Sequence, residues 1–211
     1  MIPPPSPEPH PGAVYVALEG AEACGKSTHA ARLAAELDAV LTRETGGTAI
    51  GARIRAILHD TEVTDLADRA EALLTAADRA QHLHQVVLPA LASGRPVVSD
   101  RSVYSTLAYQ GYGRMLDVDE LRHINGWAIQ GTWPQLVLLL DVDPSVQASR
   151  MHGRELDRFE REDDAFHQRV RDGFTAMAAA DPEHWVVIDA SGPLDGVYDA
   201  IRTAVRDRTG L

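Results

Sequence analysis

Two glycines, a lysine and a serine within residues 20–27 have the spacing Gly-x-x-x-x-Gly-Lys-Ser, which is typical of a phosphate-binding loop. Glycines allow the backbone to curl so that successive N–H groups converge on one anion, at the positive end of the following helix. Lys26 is then placed to reach the β- and γ-phosphates, and Ser27 to ligate the Mg²⁺ that bridges them. The segment therefore predicts a site for a nucleoside triphosphate.

The chain has 211 residues, a formal net charge of -11 and 20 basic residues, of which Lys26 is the only lysine. A surface that holds nucleic acid polymers or anionic membranes needs a basic footprint, so we expect neither partner. Apolar runs are too short to cross a bilayer, and a single cysteine, Cys24, excludes an intramolecular disulfide. These features predict a cytoplasmic protein with a local arginine cluster for phosphate.

Short runs rich in valine, leucine and isoleucine alternate with helical patterns along the chain. The runs at 14–18, 40–43, 97–100, 136–141 and 185–189 predict buried parallel strands. Helical patterns cover 26–37, 48–58, 65–93, 103–110, 118–129, 145–151, 161–180 and 193–208. Pro89 predicts a kink near the end of the long helix 65–93. This alternation predicts a parallel sheet with helices on both faces. We expect one domain over residues 13–211, after a flexible proline-rich tail at residues 1–12.

A second cluster of arginines decides between the classes of protein that bind a nucleoside triphosphate. Guanine-reading GTPases use an Asn-Lys-x-Asp run, which this chain does not contain, and motor ATPases usually need further domains. A small-molecule kinase must also bind an acceptor. Arg43 and Arg101 follow predicted strands, at the edge where parallel sheets bind ligands, and Arg79 lies on the long helix. Their convergence beside the loop predicts a kinase.

The order of motifs resembles the thymidylate kinase family over nearly the whole chain from residue 13 to residue 211. The motifs are EGAEACGKST, TRETGGT, LLTAADRAQH, SDRSVYSTLAYQG, PQLVLLLDVDP and ELDRFE. The resemblance implies a P-loop nucleoside monophosphate kinase with a five-stranded parallel sheet and a mobile lid, here residues 149–161. It implies transfer of the γ-phosphate of ATP to the 5′-phosphate of thymidine monophosphate, with Mg²⁺, by a homodimer.

The same resemblance implies roles for individual residues. The loop residues implied to contact ATP are Gly20, Glu22, Ala23, Cys24, Gly25, Lys26, Ser27 and Thr28. The residues implied to bind the acceptor nucleotide are Glu22, Arg43, Thr75, Arg79, Arg101, Thr106 and Tyr109. Among these, Arg101 resembles the arginine that grips the acceptor phosphate, Arg79 the one that reads the base edge, and Tyr109 the tyrosine that favours deoxyribose. Asp100 is implied to help Ser27 organise the metal.

The family also needs a cation that stabilises charge in the transition state, and the lid is its expected source here. Members carry this arginine either in the phosphate-binding loop or in the lid, and the variable loop positions 21–24 hold no basic residue. The lid form implies Arg150, Arg154 or Arg158 as catalytic residues beside Lys26 and Arg101. Because a phosphate acceptor is already largely a dianion at pH 7, no general base is needed, and no histidine is assigned a role. His82 is expected on a helix surface or partly packed, and His29 in an ordinary first turn.

Two positions depart from the family pattern at the acceptor base. Thr75 stands where an aromatic ring usually stacks on thymine, and Ser102 follows Asp100-Arg101 where an aromatic residue or a histidine is common. Either Tyr104 or Tyr112 stacks on the base instead, or the pocket accepts a different or larger base. Three functions therefore stay open: a thymidylate kinase, a kinase for another pyrimidine or modified nucleotide, and an inactive nucleotide-binding regulator.

Overall fold

A computed structural model describes residues 12–211 of the chain. The predicted tail lies outside this range except for Gly12. The strands form one parallel sheet in the order β2-β3-β1-β4-β5. Their bounds are β1 Tyr15–Glu19, β2 Val40–Arg43, β3 Val97–Asp100, β4 Leu136–Asp141 and β5 Trp185–Asp189. The predicted five-stranded parallel sheet is confirmed, with β1 shifted by one residue.

Helices connect the strands and cover the sheet. Before β3 these are α1 Lys26–Glu36, α2 Ala49–His59, α3 Asp68–His82 and α4 Leu88–Ala92. After β3 they are α5 Val103–Thr106, α6 Val118–Ala128, α7 Pro144–Met151, α8 Asp164–Ala180 and α9 Leu194–Thr209. Side-chain caps fix several starts: Thr48 accepts a hydrogen bond from the N–H of Gly51 at α2, and Asp163 from that of Phe166 at α8.

Two predicted helices are interrupted by π-helical turns. The predicted helix 65–93 is wrong as one element, because a π-helical turn at Leu83–Val87 separates α3 from α4. In this turn the N–H of Leu88 bonds to the carbonyl of Leu83, five residues back. Pro89 follows and has no N–H to donate, which favours such a widened turn over a regular α-helix. A second π-helical segment, Leu107–Gly113, continues α5.

The core has a cluster of apolar side chains on each face of the sheet. One cluster packs α1 and α9 against the sheet through residues such as Leu33 and Ile201. The other packs α8 and the Leu107–Gly113 segment through residues such as Phe166 and Phe174. The interior strands β1, β3 and β4 are buried along nearly their whole length, which explains their apolar runs. The edge strands β2 and β5 are only partly buried, so their predicted burial is wrong in part. Among the described residues, no helix is long and apolar enough to cross a membrane.

The register of the strands places their carboxyl ends side by side. Asp100 at the end of β3 pairs with Leu18 of β1 and with Arg43 at the end of β2. The loop that follows β1, the arginine that ends β2 and the Asp-Arg pair that ends β3 therefore meet at one edge of the sheet. This edge carries the predicted site.

Candidate active site

The loop between β1 and α1 has a backbone that its two glycines allow. Gly20 and Gly25 have φ angles of 136° and 95°, which other residues rarely adopt. A Cβ atom at Gly20 would also lie 2.5 Å from the carbonyl oxygen of Leu140. Gly25 is the N-cap of α1, which begins at Lys26. The loop thus ends at a helix N-terminus, where free N–H groups and the helix dipole bind anions.

Lys26 folds back against this loop and closes it. Its Nζ donates hydrogen bonds to the carbonyl oxygens of Ala21, at 2.6 Å, and of Gly20, at 3.2 Å. It also lies 3.3 Å from the sulfur of Cys24 and 3.9 Å from a carboxylate oxygen of Glu22. Only 7% of Lys26 is exposed. The hydrogen-bond acceptors of the ammonium are neutral, and its carboxylate neighbour, Glu22, lies beyond hydrogen-bond distance, so a phosphate oxygen would bind it more strongly.

Ser27 and Asp100 form the hard-oxygen part of the site. The Ser27 hydroxyl donates a hydrogen bond to Oδ2 of Asp100, and both residues line the same cavity. Among residues 12–211, no group of three or more His, Cys, Asp or Glu is placed to hold a metal. Mg²⁺ in kinases takes one or two protein oxygens and completes its shell with substrate phosphates and water. The donor pair therefore fits the metal that accompanies a bound nucleotide.

Arg101 lies at the centre of a hydrogen-bonded cluster beside the loop. Its Nη1 donates to the carbonyl of Gly20 at 3.2 Å and to the hydroxyl of Ser105 at 3.1 Å. Its Nη2 donates to the carboxylate of Glu22 and, at 3.2 Å, to the hydroxyl of Tyr109. Tyr109 in turn donates to Glu22 at 2.8 Å. Burial raises the pKa of the Glu22 carboxyl, but the charges of Arg101 and Lys26 and the hydrogen bond from Tyr109 together lower it below its usual value.

Two more arginines enter the cavity from β2 and α2. Arg43 is exposed at the end of β2, and Arg55 of α2 donates a hydrogen bond to the carbonyl of Thr45 at 3.2 Å. Both line the cavity. Burial, and then the charge of Arg43, lower the pKa of the Arg55 guanidinium, and cations crowded in this way favour an anion between them. Sequence analysis missed Arg55 because it lies in mid-helix, away from every strand end.

Arg79 is buried at the inner end of the cavity, and each of its three nitrogens is paired. Nε donates to Glu44 at 2.8 Å, Nη1 donates to Asn125, and Nη2 donates to Thr106 at 3.0 Å and to the carbonyl of Ser102 at 3.2 Å. Only 2% of the residue is exposed. Acceptors from β2, α5 and α6 therefore hold the guanidinium in one orientation. Asn125, the only asparagine of the chain, was not predicted to contact it.

His82 is a correction to the sequence analysis, because the side chain is fully buried instead of lying on a helix surface or being partly packed. Its Nδ1 lies 2.8 Å from a carboxylate oxygen of Glu44, and its Nε2 lies 2.6 Å from the hydroxyl of Thr42. The partners come from β2, about forty residues earlier in the chain. His29 is also buried, and its ring lies parallel to that of Tyr198.

Hydroxyl groups line the buried end of the cavity near Arg79, which sequence analysis assigned to the acceptor base. Thr75 donates to the carbonyl of Ala72 at 2.8 Å and accepts from Thr106 at 3.2 Å. Tyr104 does not reach this wall, since its ring packs edge-on against Trp185 in the core. Tyr112 packs over Gly173 of α8 and is likewise absent from the cavity wall. Neither tyrosine is therefore placed to stack on a base.

The lid segment brings two of its three candidate arginines to the cavity. Arg150, near the end of α7, donates to the carbonyl oxygens of Ala190 at 3.0 Å and of Ala23 at 3.3 Å. Arg154 is exposed and lies 3.4 Å from a carboxylate oxygen of Glu160. Both arginines line the cavity. Arg150 thus connects the lid segment to the phosphate-binding loop.

Arg158 points away from the cavity and anchors the lid segment. Its Nη2 donates to the buried carboxylate of Glu71 on α3 at 2.6 Å, and its Nε donates to the carbonyl of Leu58 on α2 at 2.8 Å. Glu71 also accepts hydrogen bonds from Arg114 and Gln110. Arg158 is thus paired with a fully buried carboxylate, whereas Arg150 binds backbone carbonyls and Arg154 is exposed.

Asp157 joins the same segment to α2. Its Oδ2 lies 2.7 Å from Nδ1 of His59, and its Oδ1 accepts from the N–H groups of Phe159 and Glu160 at 2.9 and 3.0 Å. Burial raises the pKa of Asp157, but His59 and the backbone donors lower it to about 2. His59, Asp157 and Phe159 all line the cavity. Sequence analysis assigned none of them to the site.

One cavity of about 490 Å³ collects most of the predicted residues. Those on its wall are Glu22, Ala23, Gly25, Lys26, Ser27, Arg43, Thr75, Arg79, Asp100, Arg101, Thr106, Tyr109, Arg150 and Arg154. Those outside it are Gly20, Cys24, Thr28 and Arg158. Cys24 is 1% exposed, while Thr28 is exposed on the first turn of α1.

An enzyme that transfers phosphate from one anionic nucleotide to another needs a phosphate-binding loop for the donor and a facing cluster of arginines for the acceptor, within one cavity. The parallel sheet presents both at its carboxyl edge, so the chain is a P-loop nucleoside monophosphate kinase. The family model of thymidylate kinase matches residues 18–201. The chain belongs to the thymidylate kinase family.

Individual relatives agree with this family. A thymidylate kinase of Oleidesulfovibrio alaskensis is 44% identical over 207 residues, which cover 92% of this chain and 98% of that one. A thymidylate kinase of Synechococcus is 48% identical over 201 residues, covering 92% and 96%. The crystal structure of thymidylate kinase from Ehrlichia chaffeensis gives a TM-score of 0.77 at 28% identity, covering 92% of this chain and all of that one. The open alternatives, another acceptor and an inactive regulator, are not favoured by these matches.

Proposed function

We propose that the protein transfers the γ-phosphate of ATP to the 5′-phosphate of thymidine monophosphate between Lys26 and Arg101. One observation carries this proposal: Lys26 Nζ and Arg101 Nη1 each lie 3.2 Å from the carbonyl oxygen of Gly20. A cation for the donor phosphates and a cation for the acceptor phosphate therefore meet at a single atom. Two phosphates bound to them would be brought end to end.

The chemistry asks for alignment and positive charge. The acceptor phosphate is largely a dianion at pH 7, so no side chain has to remove a proton from it. Transfer passes through a loose transition state whose charge is spread over the γ-phosphate oxygens. Preorganised cations that reach those oxygens supply the stabilisation. Lys26 reaches the donor side, and Arg101, with Arg43 and Arg55 beyond it, neutralises the acceptor side.

We assign the remaining positive charge, which stabilises the transition state, to arginines of the lid segment. The positions of Arg150 and Arg154 on the cavity wall favour them over Arg158, whose guanidinium already binds Glu71. Arg150 reaches the carbonyl of Ala23 in the loop, so a small movement of the lid would carry it to a phosphate bound there. The assignment of Arg158 to phosphate transfer stays a prediction, since its side chain does not line the cavity.

Acceptor recognition is assigned to the buried end of the cavity. We assign Arg79, Thr106 and Thr75, which line this end of the cavity, to the base edge. We assign Tyr109 and Glu22 to the sugar, since both are hydrogen-bonded to Arg101. Tyr109 would then disfavour a 2′-hydroxyl. Phe159 is an apolar ring on the same wall and takes part in closing the cavity over the acceptor.

Ser27 and Asp100 would hold the magnesium ion that accompanies ATP, directly or through water. When bound, this ion supplies charge neutralisation on the β- and γ-phosphates. The loop N–H groups orient the phosphates, and Lys26 fixes the one to be transferred.

We also propose a single domain over residues 13–211, a cytoplasmic location and a homodimer. Support for the dimer comes from apolar side chains exposed on neighbouring helices: Ile50 and Ile57 of α2, Leu73 of α3 and Trp127 of α6. Trp127 is 81% exposed. Light scattering of the full chain would give the mass of a monomer if this proposal is wrong.

The activity is tested by coupled release of ADP with a panel of nucleoside monophosphates at saturating ATP and Mg²⁺. We expect thymidine monophosphate to give the highest kcat/KM. A higher value for another pyrimidine nucleotide would overturn the acceptor assignment. Absence of ADP release with every acceptor would overturn the activity.

A further inference from the structure

Glu19, the last residue of β1, is a buried carboxylate that the proposed mechanism does not use. None of its surface is exposed. Its Oε1 accepts hydrogen bonds from the N–H of Ser102 at 2.8 Å and from the hydroxyl of Ser102 at 2.7 Å, and its Oε2 accepts from the hydroxyl of Ser105 at 2.6 Å. A buried carboxylate is costly unless such donors satisfy it. Three donors from one short segment show that the carboxylate is built into the turn after β3.

That turn carries Arg101, which has a left-handed backbone with φ of 69°. A residue other than glycine is held in this conformation only by its surroundings. The N–H of Arg101 bonds to the carbonyl of Leu18 at 2.9 Å, and its carbonyl accepts from the hydroxyl of Ser99 at 2.7 Å. Glu19 holds the next residue, Ser102, by two further bonds. The backbone of Arg101 is therefore fixed on both sides by β1 and β3.

The Arg101 side chain is tied to the same carboxylate through one hydroxyl. Ser105 donates its proton to Glu19 and accepts from Nη1 of Arg101 at 3.1 Å. Because the hydroxyl hydrogen of Ser105 points to the Glu19 carboxylate, a lone pair of the hydroxyl oxygen is left to accept from the guanidinium. Glu22 is a direct partner of Arg101 at the cavity, whereas Glu19 acts from beneath through Ser105.

We infer that Glu19 is a positioning residue, which sets the orientation of Arg101 for the acceptor phosphate through Ser105. It does not touch the substrate. This inference also explains Ser102, the departure from the family pattern: its hydroxyl is a donor to the buried carboxylate. The inference rests on the proposed role of Arg101, so Arg101→Ala is measured in parallel.

The primary variant is Glu19→Gln, which keeps the side-chain shape. The N–H of Ser102 still requires an oxygen acceptor, so the amide oxygen of the glutamine stays in the place of Oε1. The amide nitrogen then takes the place of Oε2 and donates to the Ser105 hydroxyl, which loses its acceptor at position 19. Misplacement of a substrate-orienting group can cost on the order of 100-fold in rate. We expect the acceptor KM to rise by about tenfold or more, with the ATP KM changed less than about twofold, because only the acceptor contact is displaced.

Two serine variants form a matched control pair. Ser105→Ala and Ser102→Ala each remove one hydroxyl from Glu19, but only the first removes a contact to Arg101. We expect Ser105→Ala to raise the acceptor KM by about fivefold and Ser105→Thr to restore the original value. Ser102→Ala should lower the melting temperature and change the acceptor KM by less than about threefold. The double variant Glu19→Gln/Ser105→Ala is expected to match Glu19→Gln alone.

The outcomes separate the inference from the function on which it rests. An equal rise in both KM values, or a Ser102→Ala effect as large as that of Ser105→Ala, would overturn the positioning role and leave a structural one. If Glu19→Gln does not fold, Ser105→Ala against Ser105→Thr decides the question. If Arg101→Ala itself leaves the acceptor KM unchanged, the proposed role of Arg101 fails first.

Discussion

Replacement of Arg101 by alanine tests the proposed acceptor site most directly. The guanidinium makes hydrogen bonds to Gly20, Ser105, Glu22 and Tyr109, and its side chain is 17% exposed. Arg101→Ala therefore removes a fixed fork of donors from the cavity and leaves Glu22, which is 18% exposed, without its closest cation. Two quantities should change: acceptor binding and protein stability.

The expected loss follows from the two N–H groups that the fork can offer to a phosphate. Hydrogen bonds to charged groups contribute about 1.5–3 kcal/mol each. Two of them, partly replaced by water in the variant, give a loss of about 3–4 kcal/mol in transition-state binding. At 1.4 kcal/mol per tenfold, kcat/KM for thymidine monophosphate falls by roughly 100- to 1000-fold. Unpairing the half-buried Glu22 costs about 2 kcal/mol of folding free energy, less than for a fully buried pair.

Steady-state ADP release, with each substrate varied in turn, measures separately the effects on the acceptor and on ATP. We expect the acceptor kcat/KM to carry the loss, while the ATP KM stays within about threefold because Lys26 and the loop N–H groups are untouched. Arg101→Lys is the matched control: it retains the charge, loses the fork, and should cost about tenfold. Equal loss for ATP and acceptor, or an unchanged acceptor KM, would refute the assignment of Arg101 to the acceptor phosphate.

Three further predictions concern the base pocket and the lid. Thr75→Phe adds a ring at the base end of the cavity, and base stacking worth about 1–3 kcal/mol should lower the acceptor KM by at least about fivefold; a higher KM would show that another group fills this space. Arg150→Ala should lower kcat by about 100-fold, whereas Arg158→Ala, which strips a partner from buried Glu71, should mainly reduce the free energy of unfolding, by about 3 kcal/mol; equal kcat losses would contradict the assignment. Asp157→Asn should cost about 1–2 kcal/mol of stability at pH 7, after a discount for its partial exposure. Because folding lowers the pKa of Asp157 from 3.8 to about 2, its contribution is present above pH 4 and disappears as the pH falls through 2; chemical unfolding across pH 2–7 measures the difference, and a constant difference would refute the pairing.

The sequence predicted the sheet better than the helices, and there is a physical reason. The interior strands β3 and β4 are buried along most of their length and are therefore visible as apolar runs. The edge strands β2 and β5 are partly exposed, but each still contains a short apolar run. The π-helical turns leave no comparable signal, since Leu83–Val87 keeps nearly the same apolar spacing as the helix around it. Pro89 predicted a kink there but not its form.

Within the site, the residues next to glycines and strand ends were predictable, because the topology fixes where a strand end lies. Residues whose importance depends on a distant partner were not. His82 is read as a helical surface residue until β2 brings Glu44 beside it, and Glu19 is read as the end of a strand until Ser102 and Ser105 surround it. Arg55 requires knowledge of how α2 packs beside β2. Pairings over such sequence distances need coordinates.

The pairing of cations also explains how an acidic chain holds two anionic nucleotides. Lys26 and Arg101 are not free charges in the structure, since the loop carbonyls hold the first and Glu22 holds the second. A bound phosphate exchanges these partners for a stronger one, so the cations are already oriented when charge develops during transfer. In the proposed complex, a Glu22 carboxylate displaced from Arg101 would keep its bond from Tyr109 and would accept from a sugar hydroxyl. We therefore propose that local exchange of partners, rather than net positive charge, lets an acidic chain bind the phosphates of two nucleotides.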